Sequence, residues 1–270
     1  MRAVVLTSSR ARPDGPVDAL SDYDVILVVS DPAAFAADER WQSAYGRPLA
    51  RWGDEHELHG LPFSFLGIVH DDWTKVDYML WPEALLERIA TDETLPDVLD
   101  VGYRVLLDRT GITERWPAPT YRAHIPAPPS QTEFDALAEE FWWSASYVAK
   151  GLWRGEVVFA KFALDVDMKL SALRRVLEWW IEIAAGWSVK PGAYGRGLER
   201  MLDPETAAEL AATYVGSDLE ENWEALFATA AIFRRVAREV AGALGLSYPQ
   251  ELDDVASGYL AGVRELPRES

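Results

Sequence analysis

The first 110 or so residues set short apolar runs between polar turns. Arg2–Thr7 and Asp22–Ser30 are rich in β-branched and aliphatic residues and end at polar turn residues, which predicts two strands. Pro62–Val69 and Trp73–Trp81 predict two more, joined through His70-Asp71-Asp72 as a hairpin turn, and Tyr103–Asp108 predicts a fifth. Pro32–Ala44 and Pro82–Ala90 each carry proline in their first turn and predict helices. This pattern predicts an α/β (α+β) domain on a mixed sheet.

From about residue 130 the apolar period changes to that of a helix. Ser130-Gln-Thr-Glu133 has the spacing of a capping box. Phe134, Leu137, Phe141, Ala145, Val148 and Leu152 then fall within one narrow arc. Val166–Ala185, Glu205–Tyr214, Leu219–Leu244 and Leu252–Glu265 predict further helices, so this half reads as an all-α helical bundle. Between the halves, Glu114–Ser130 holds five prolines and predicts an extended connector. The expected organisation is a first domain over 1–115, a proline-rich linker over 116–130 and a helical domain over 131–270.

Composition narrows the partners. With 26 Lys+Arg against 44 Asp+Glu, the formal net charge of −18 argues against nucleic acid and suits a cationic ligand. The absence of cysteine removes disulfides, thiolate metal sites and cysteine nucleophiles. Apolar runs such as Val25–Val29 are too short to span a membrane. The opening Met1–Thr7 is too brief, and soon too polar, for a signal peptide. A cytoplasmic protein, monomeric or weakly dimeric, is the expectation.

The chemistry concentrates in Thr7-Ser8-Ser9-Arg10, eleven residues of loop, and Asp22-Tyr23-Asp24 at the start of an apolar strand. Residues two apart in a strand point the same way, so Asp22 and Asp24 project together. Adjacent carboxylates repel unless a cation sits between them, and Mg²⁺ prefers oxygen ligands. Asp77 lies on Lys75–Leu80, where Val76, Tyr78 and Leu80 would face the core and leave Asp77 beside Lys75 on the other face. Three carboxylates with a hydroxyl-rich turn suit phosphoryl or nucleotidyl transfer, with two metal ions clamping a triphosphate and the turn holding its terminal phosphates.

These residues resemble the signature of the nucleotidyltransferase superfamily: Gly-Ser, a short spacer, Asp-x-Asp and a distal acid. More narrowly, the chain is similar to the aminoglycoside 6-adenylyltransferase (streptomycin adenylyltransferase) family over roughly Ala3–Val263. The similarity is carried by Ser9-Arg10, Ser21-Asp-Tyr-Asp24 and Lys75-Val-Asp77. In the second half it is carried by Glu140-Phe-Trp-Trp143, Tyr147-Val-Ala-Lys-Gly-Leu-Trp-Arg154 and Asn222-Trp-Glu-Ala-Leu226. The resemblance implies ATP as co-substrate, Mg²⁺, and transfer of AMP to a hydroxyl of a cationic aminoglycoside such as streptomycin, releasing pyrophosphate. It implies metal binding by Asp22 and Asp24, with Asp77 as third ligand or as the base for the acceptor hydroxyl. Ser8, Ser9 and Arg10 would hold the β/γ-phosphates.

On the predicted helix after Ser130, the face away from the core carries Glu140, Trp143, Tyr147, Lys150 and Arg154. With the resemblance, this face becomes a second wall of the active-site cleft. Lys150 would meet triphosphate charge, and Glu140, Trp143, Tyr147 and Arg154 the acceptor. The chain departs from the family in having Ser8 where the pattern has glycine, which puts a side chain where backbone should approach phosphate. It also starts almost inside its first strand, whereas family members usually place a helix before it. Two other readings fit the same residues: an adenylyltransferase for another hydroxylated small molecule, and a non-catalytic binding protein of the same fold.

His56-Glu-Leu-His59 has the wrong spacing for a helical zinc motif and, beside Asp54 and Glu55, reads as a polar loop. Gly192–Gly197 lacks a preceding strand and a phosphate-loop lysine, and reads as a turn opening a helix. The four histidines, His56, His59, His70 and His124, fall in apparent turns or linkers, which gives Ser-His-Asp catalysis little support.

Overall fold

The structure, a computed structural model, describes all residues except 14, 16 and 268–270. The chain divides into two compact units, Met1–His124 and Ile125–Ser270.

The first unit is built on β1 (Ala3–Thr7), β2 (Tyr23–Val29), β3 (Pro48–Leu58), β4 (Leu61–His70), β5 (Lys75–Pro82) and β6 (Tyr103–Asp108). They form one sheet in the order β3-β4-β5-β2-β1-β6. β2 and β5 run parallel and the other neighbours antiparallel, so the sheet is mixed. On one face, α1 (Pro32–Ala37) and α2 (Glu39–Gln42) place Phe35 and Trp41, stacked at 4.8 Å, against Leu27, Val76, Tyr78 and Leu80. On the other, α3 (Glu83–Thr91) and α4 (Asp97–Asp100) bury Leu85, Leu86, Ile89 and Leu99 against Val5, Ile26, Val28 and Trp81.

Two expectations need correction here. Pro32–Ala44 is not one helix, because Asp38 is extended and caps Arg40 N–H just as Asp31 caps Ala34 N–H. The stretch containing Asp54, Glu55 and His56 is not a loop but part of β3, an eleven-residue edge strand exposed along nearly its whole length. Its ladder with β4 satisfies backbone groups without burying side chains, so no apolar alternation marks it. His56 and His70 therefore lie in strands; His59 sits in the intervening hairpin turn and pairs with Asp92 at 3.3 Å.

The second unit opens with α5 (Gln131–Arg154), capped as expected: Ser130 Oγ accepts from Glu133 N–H and the Glu133 carboxylate accepts from Ser130 N–H. Gly155, at φ 74, ends it in the left-handed conformation. Next, α6 (Val157–Phe162), a π-helical stretch (Ala163–Leu173) and α7 (Arg174–Ala185) follow without a break, so this helix starts at Val157 rather than Val166. Within the π stretch, Lys169 is buried, pairs with Asp165 at 2.6 Å and donates to the Thr213 carbonyl at 2.6 Å. Gly192–Gly197 forms tight 3₁₀ turns ahead of α8 (Pro204–Ala212), followed by α9 (Leu219–Leu244) and α10 (Gln250–Glu265). Phe141 of α5 stacks on Phe233 of α9 at 3.7 Å in the centre of this core. Among the described residues, no helix is long and apolar enough to cross a membrane.

Candidate active site

The parallel register of β2 and β5 sets Asp24 directly opposite Asp77. Thr7 lies opposite Asp24 across the β1–β2 ladder, so the turn that follows β1, Ser8–Arg10, emerges at the same end of the sheet. Asp22 immediately precedes β2. Lys75 Nζ bridges Asp22 Oδ2 at 2.8 Å and Asp77 Oδ2 at 2.6 Å. The structure thus brings Asp22, Asp24, Asp77 and the Ser8–Arg10 turn together, with Lys75 among the carboxylates. The sequence pattern had put Lys75 on the face of Asp77, but not assigned it to the site.

The electrostatics follow from this crowding. Burial, then the charge of Asp77, pushes the Asp24 carboxyl above the usual carboxylate range, against the pull of a hydrogen bond from Ser8. Partial burial works against the Lys75 ammonium, but its bonds to Asp22 and Asp77 outweigh that and hold its pKa above the ordinary lysine value. Asp77 Oδ1 is buried and has no hydrogen-bond partner among the described residues.

The turn departs from expectation in one respect. Arg10 Nε donates to the carbonyls of Ser21 and Asp22 at 3.2 and 3.1 Å, and Nη2 to Ser21 at 2.7 Å. Its guanidinium also lies 3.9 Å from the Tyr23 ring centroid. Arg10 therefore straps the loop before β2 onto the turn, which commits donors the sequence had reserved for phosphate. Ser8 has φ 60, a left-handed conformation that favours glycine.

Among the described residues, no three carboxylates or histidines are drawn together tightly enough to hold a metal ion as they stand. The donor set still suits a hard divalent cation. It offers oxygen ligands, with an unmet carboxylate oxygen at Asp77 and a carboxyl at Asp24 whose charged form is disfavoured by burial and then by the charge of Asp77. Lys75 supplies the positive charge in the present arrangement.

The remaining predicted residues lie in the second unit, on one face of α5. Glu140, Lys150 and Arg154 are exposed, as is Trp143 at 62 %, and Tyr147 is half-buried. Trp143 meets Tyr147 edge to face at 4.6 Å, and Lys150 Nζ lies 5.5 Å from the Tyr147 ring.

The family model for streptomycin adenylyltransferase matches residues 1–263. The chain is 30 % identical over 268 residues to an aminoglycoside 6-adenylyltransferase of Bacillus subtilis, covering 97 % of this chain and 91 % of that protein. It is also 30 % identical over 264 residues to one from Campylobacter jejuni, covering 96 % and 88 % respectively. The crystal structure of an aminoglycoside 6-adenyltransferase from Bacillus subtilis aligns over 98 % of this chain and 92 % of its own, at 24 % identity and a TM-score of 0.49.

Proposed function

This chain belongs to the streptomycin adenylyltransferase family, and we propose that it transfers AMP from ATP to a hydroxyl of a cationic aminoglycoside, streptomycin being the expected acceptor, with release of pyrophosphate. One observation carries the reading: Asp22, Asp24 and Asp77 meet at one end of the parallel β2–β5 pair beside a serine turn, in a chain that matches the family nearly end to end.

Asp22 and Asp24 are the residues that would hold Mg²⁺, which when bound neutralises charge on the phosphoryl oxygens. The Ser9 hydroxyl and the N–H groups of the turn hold the β/γ-phosphates, while the Ser8 hydroxyl serves Asp24. Arg10 is a positioning residue that fixes the backbone at Ser21 and Asp22. Asp77 takes the proton of the acceptor hydroxyl, a poor nucleophile when protonated. On α5, Glu140, Trp143, Tyr147 and Arg154 are assigned to the acceptor and Lys150 to the triphosphate. The reading places the protein in the cytoplasm, where ATP is supplied.

Incubation with ATP, Mg²⁺ and a panel of aminoglycosides, followed by pyrophosphate detection and mass analysis of the acceptor, tests this. The expected product is heavier by one adenylyl group. No turnover on any aminoglycoside would overturn the reading, and turnover on a neutral hydroxylated compound alone would leave only the nucleotidyl-transfer chemistry.

A further inference from the structure

Beside Asp77, on the same face of the sheet, a groove of about 350 Å³ crosses β4 and β3. Its lining is mostly apolar: Ala50, Trp52, Phe65 and Gly67, with Lys75 and Asp77 at its inner end. Trp52 is 62 % exposed, and its ring meets that of Phe65 at 5.5 Å. The floor is low because Gly67 is the residue opposite Asp77 on the β4–β5 ladder. Asp54 follows Trp52 by two positions along β3, opposite Phe65, and lies on the same face but outside the lining of the groove. Arg51 also lines the groove and is paired with Glu39 at 2.9 Å.

Strand order fixes what this groove can serve. Across the sheet the sequence is β1, β2, β5, β4, β3, so the Ser8–Ser9 turn and the groove flank the carboxylates on opposite sides. In-line displacement at phosphorus places the attacking oxygen opposite the leaving group. With the departing pyrophosphate on the serine turn, the attacking hydroxyl arrives from the β4 side, where Asp77 Oδ1 is unmet.

We infer that the Trp52–Phe65 groove seats the ring of the acceptor that bears the reactive hydroxyl. The inference rests on the adenylyltransferase reading and adds the location of the acceptor. The apolar face of the ring lies on Trp52, and its hydroxyl meets Asp77. Both cations of the lining are already paired, Arg51 with Glu39 and Lys75 with Asp22 and Asp77, and the exposed aromatic face attracts a cation as well as C–H groups. Adenine is the competing occupant, since it would also stack on Trp52.

Trp52→Ala and Trp52→Phe decide between them. Streptomycin is titrated calorimetrically into each variant in the presence of Mg²⁺ and a non-hydrolysable ATP analogue, and the Mg²⁺–analogue complex is titrated separately. Trp52→Ala is expected to weaken streptomycin binding, and raise its KM, by about 10-fold. The nucleotide affinity should stay within twofold, and Trp52→Phe should keep most of the acceptor affinity. Trp52 is exposed on an edge strand, so the melting temperature should hold, which separates loss of binding from loss of fold. Unchanged acceptor affinity in Trp52→Ala overturns the inference, and a fall in nucleotide affinity alone assigns the groove to adenine. Failure of the unmodified protein to adenylylate any aminoglycoside overturns the functional reading and this inference together. Wild-type turnover with an indifferent Trp52→Ala overturns only the inference.

Discussion

Gly67 stands directly across the β4–β5 ladder from Asp77, and a Cβ built on it would lie 3.0 Å from Asp77 Oδ1. Glycine is needed here for close approach, since its φ is unexceptional. Gly67→Ala should leave the fold intact, because the Asp77 carboxylate can swing aside, but it displaces the proposed base. The carboxylate has to give by only a few tenths of an ångström, and since misplacement by about 1 Å costs roughly 10² in rate, kcat is expected to fall a few-fold, by about 10-fold at most. Steady-state kinetics beside a melting curve check this, and unaltered kcat would show that the Asp77 position does not matter.

Asp77→Asn separates the two roles open to that residue. As base, its loss lowers turnover by roughly 10²- to 10⁴-fold. MgATP affinity should then stay within about twofold, since Asp22 and Asp24 remain. Calorimetric titration of MgATP reads the difference, and affinity falling in step with rate would make Asp77 a metal ligand instead.

Ser8 carries a left-handed backbone at φ 60, a conformation that costs a non-glycine residue about 1 kcal/mol. Ser8→Gly relieves that strain and clears the side chain from the turn, at the expense of the hydrogen bond to Asp24. The two stability effects are of similar size and opposite sign, so the melting temperature should barely move. The KM for ATP should drop several-fold. A rise in that KM would identify the Ser8 hydroxyl as a phosphate ligand.

In the helical unit, Asp253 is 1 % exposed and accepts from Arg234 Nε and Nη2, both at 2.6 Å, from Tyr248 Oη at 2.9 Å and from Ser257 Oγ at 3.0 Å. Burial raises its pKa, but the bonds from Arg234, Tyr248 and Ser257 outweigh burial and leave it below the usual carboxylate value. A depressed folded pKa contributes stability above the unfolded value, about 3.9, and loses it as pH falls through the folded one. Arg234→Ala leaves burial in command, so the acid unfolding midpoint should move to higher pH. At pH 7 the cost should be about 3 kcal/mol, softened by Arg238 at 3.7 Å. Circular dichroism at 222 nm against pH and temperature measures both, and an unmoved acid midpoint would exclude the network as a stabilising device.

Elements with local punctuation were legible from sequence. α5 has its capping box and glycine stop, α9 runs over Leu219–Leu244 as expected, and β6 over Tyr103–Asp108. β3 was not, because its side chains face solvent and its hydrogen bonds belong to β4, which no pattern within Pro48–Leu58 encodes. The π-helical stretch escaped for a related reason: Lys169 is a charged residue turned inward, held by Asp165 and by the Thr213 carbonyl, which is distant in sequence. At the candidate site the acids and the serine turn were readable as residue types. Lys75 standing among the acids, and Arg10 bound to the carbonyls of Ser21 and Asp22, depend on register and loop path.

The outer rim of β3 also bears on how copies of the protein behave toward one another. An unpaired strand edge is a template that an identical strand can extend, the usual first step toward aggregates. Here the rim carries Asp54, Glu55 and Glu57, so a second copy offering the same strand must press acid against acid. That guard is electrostatic, and it weakens as salt shortens the screening length to about 3 Å near 1 M. Concentrated solutions should therefore stay clear at low salt and grow turbid in molar salt. Replacing the three acids by their amides should produce the same turbidity without salt.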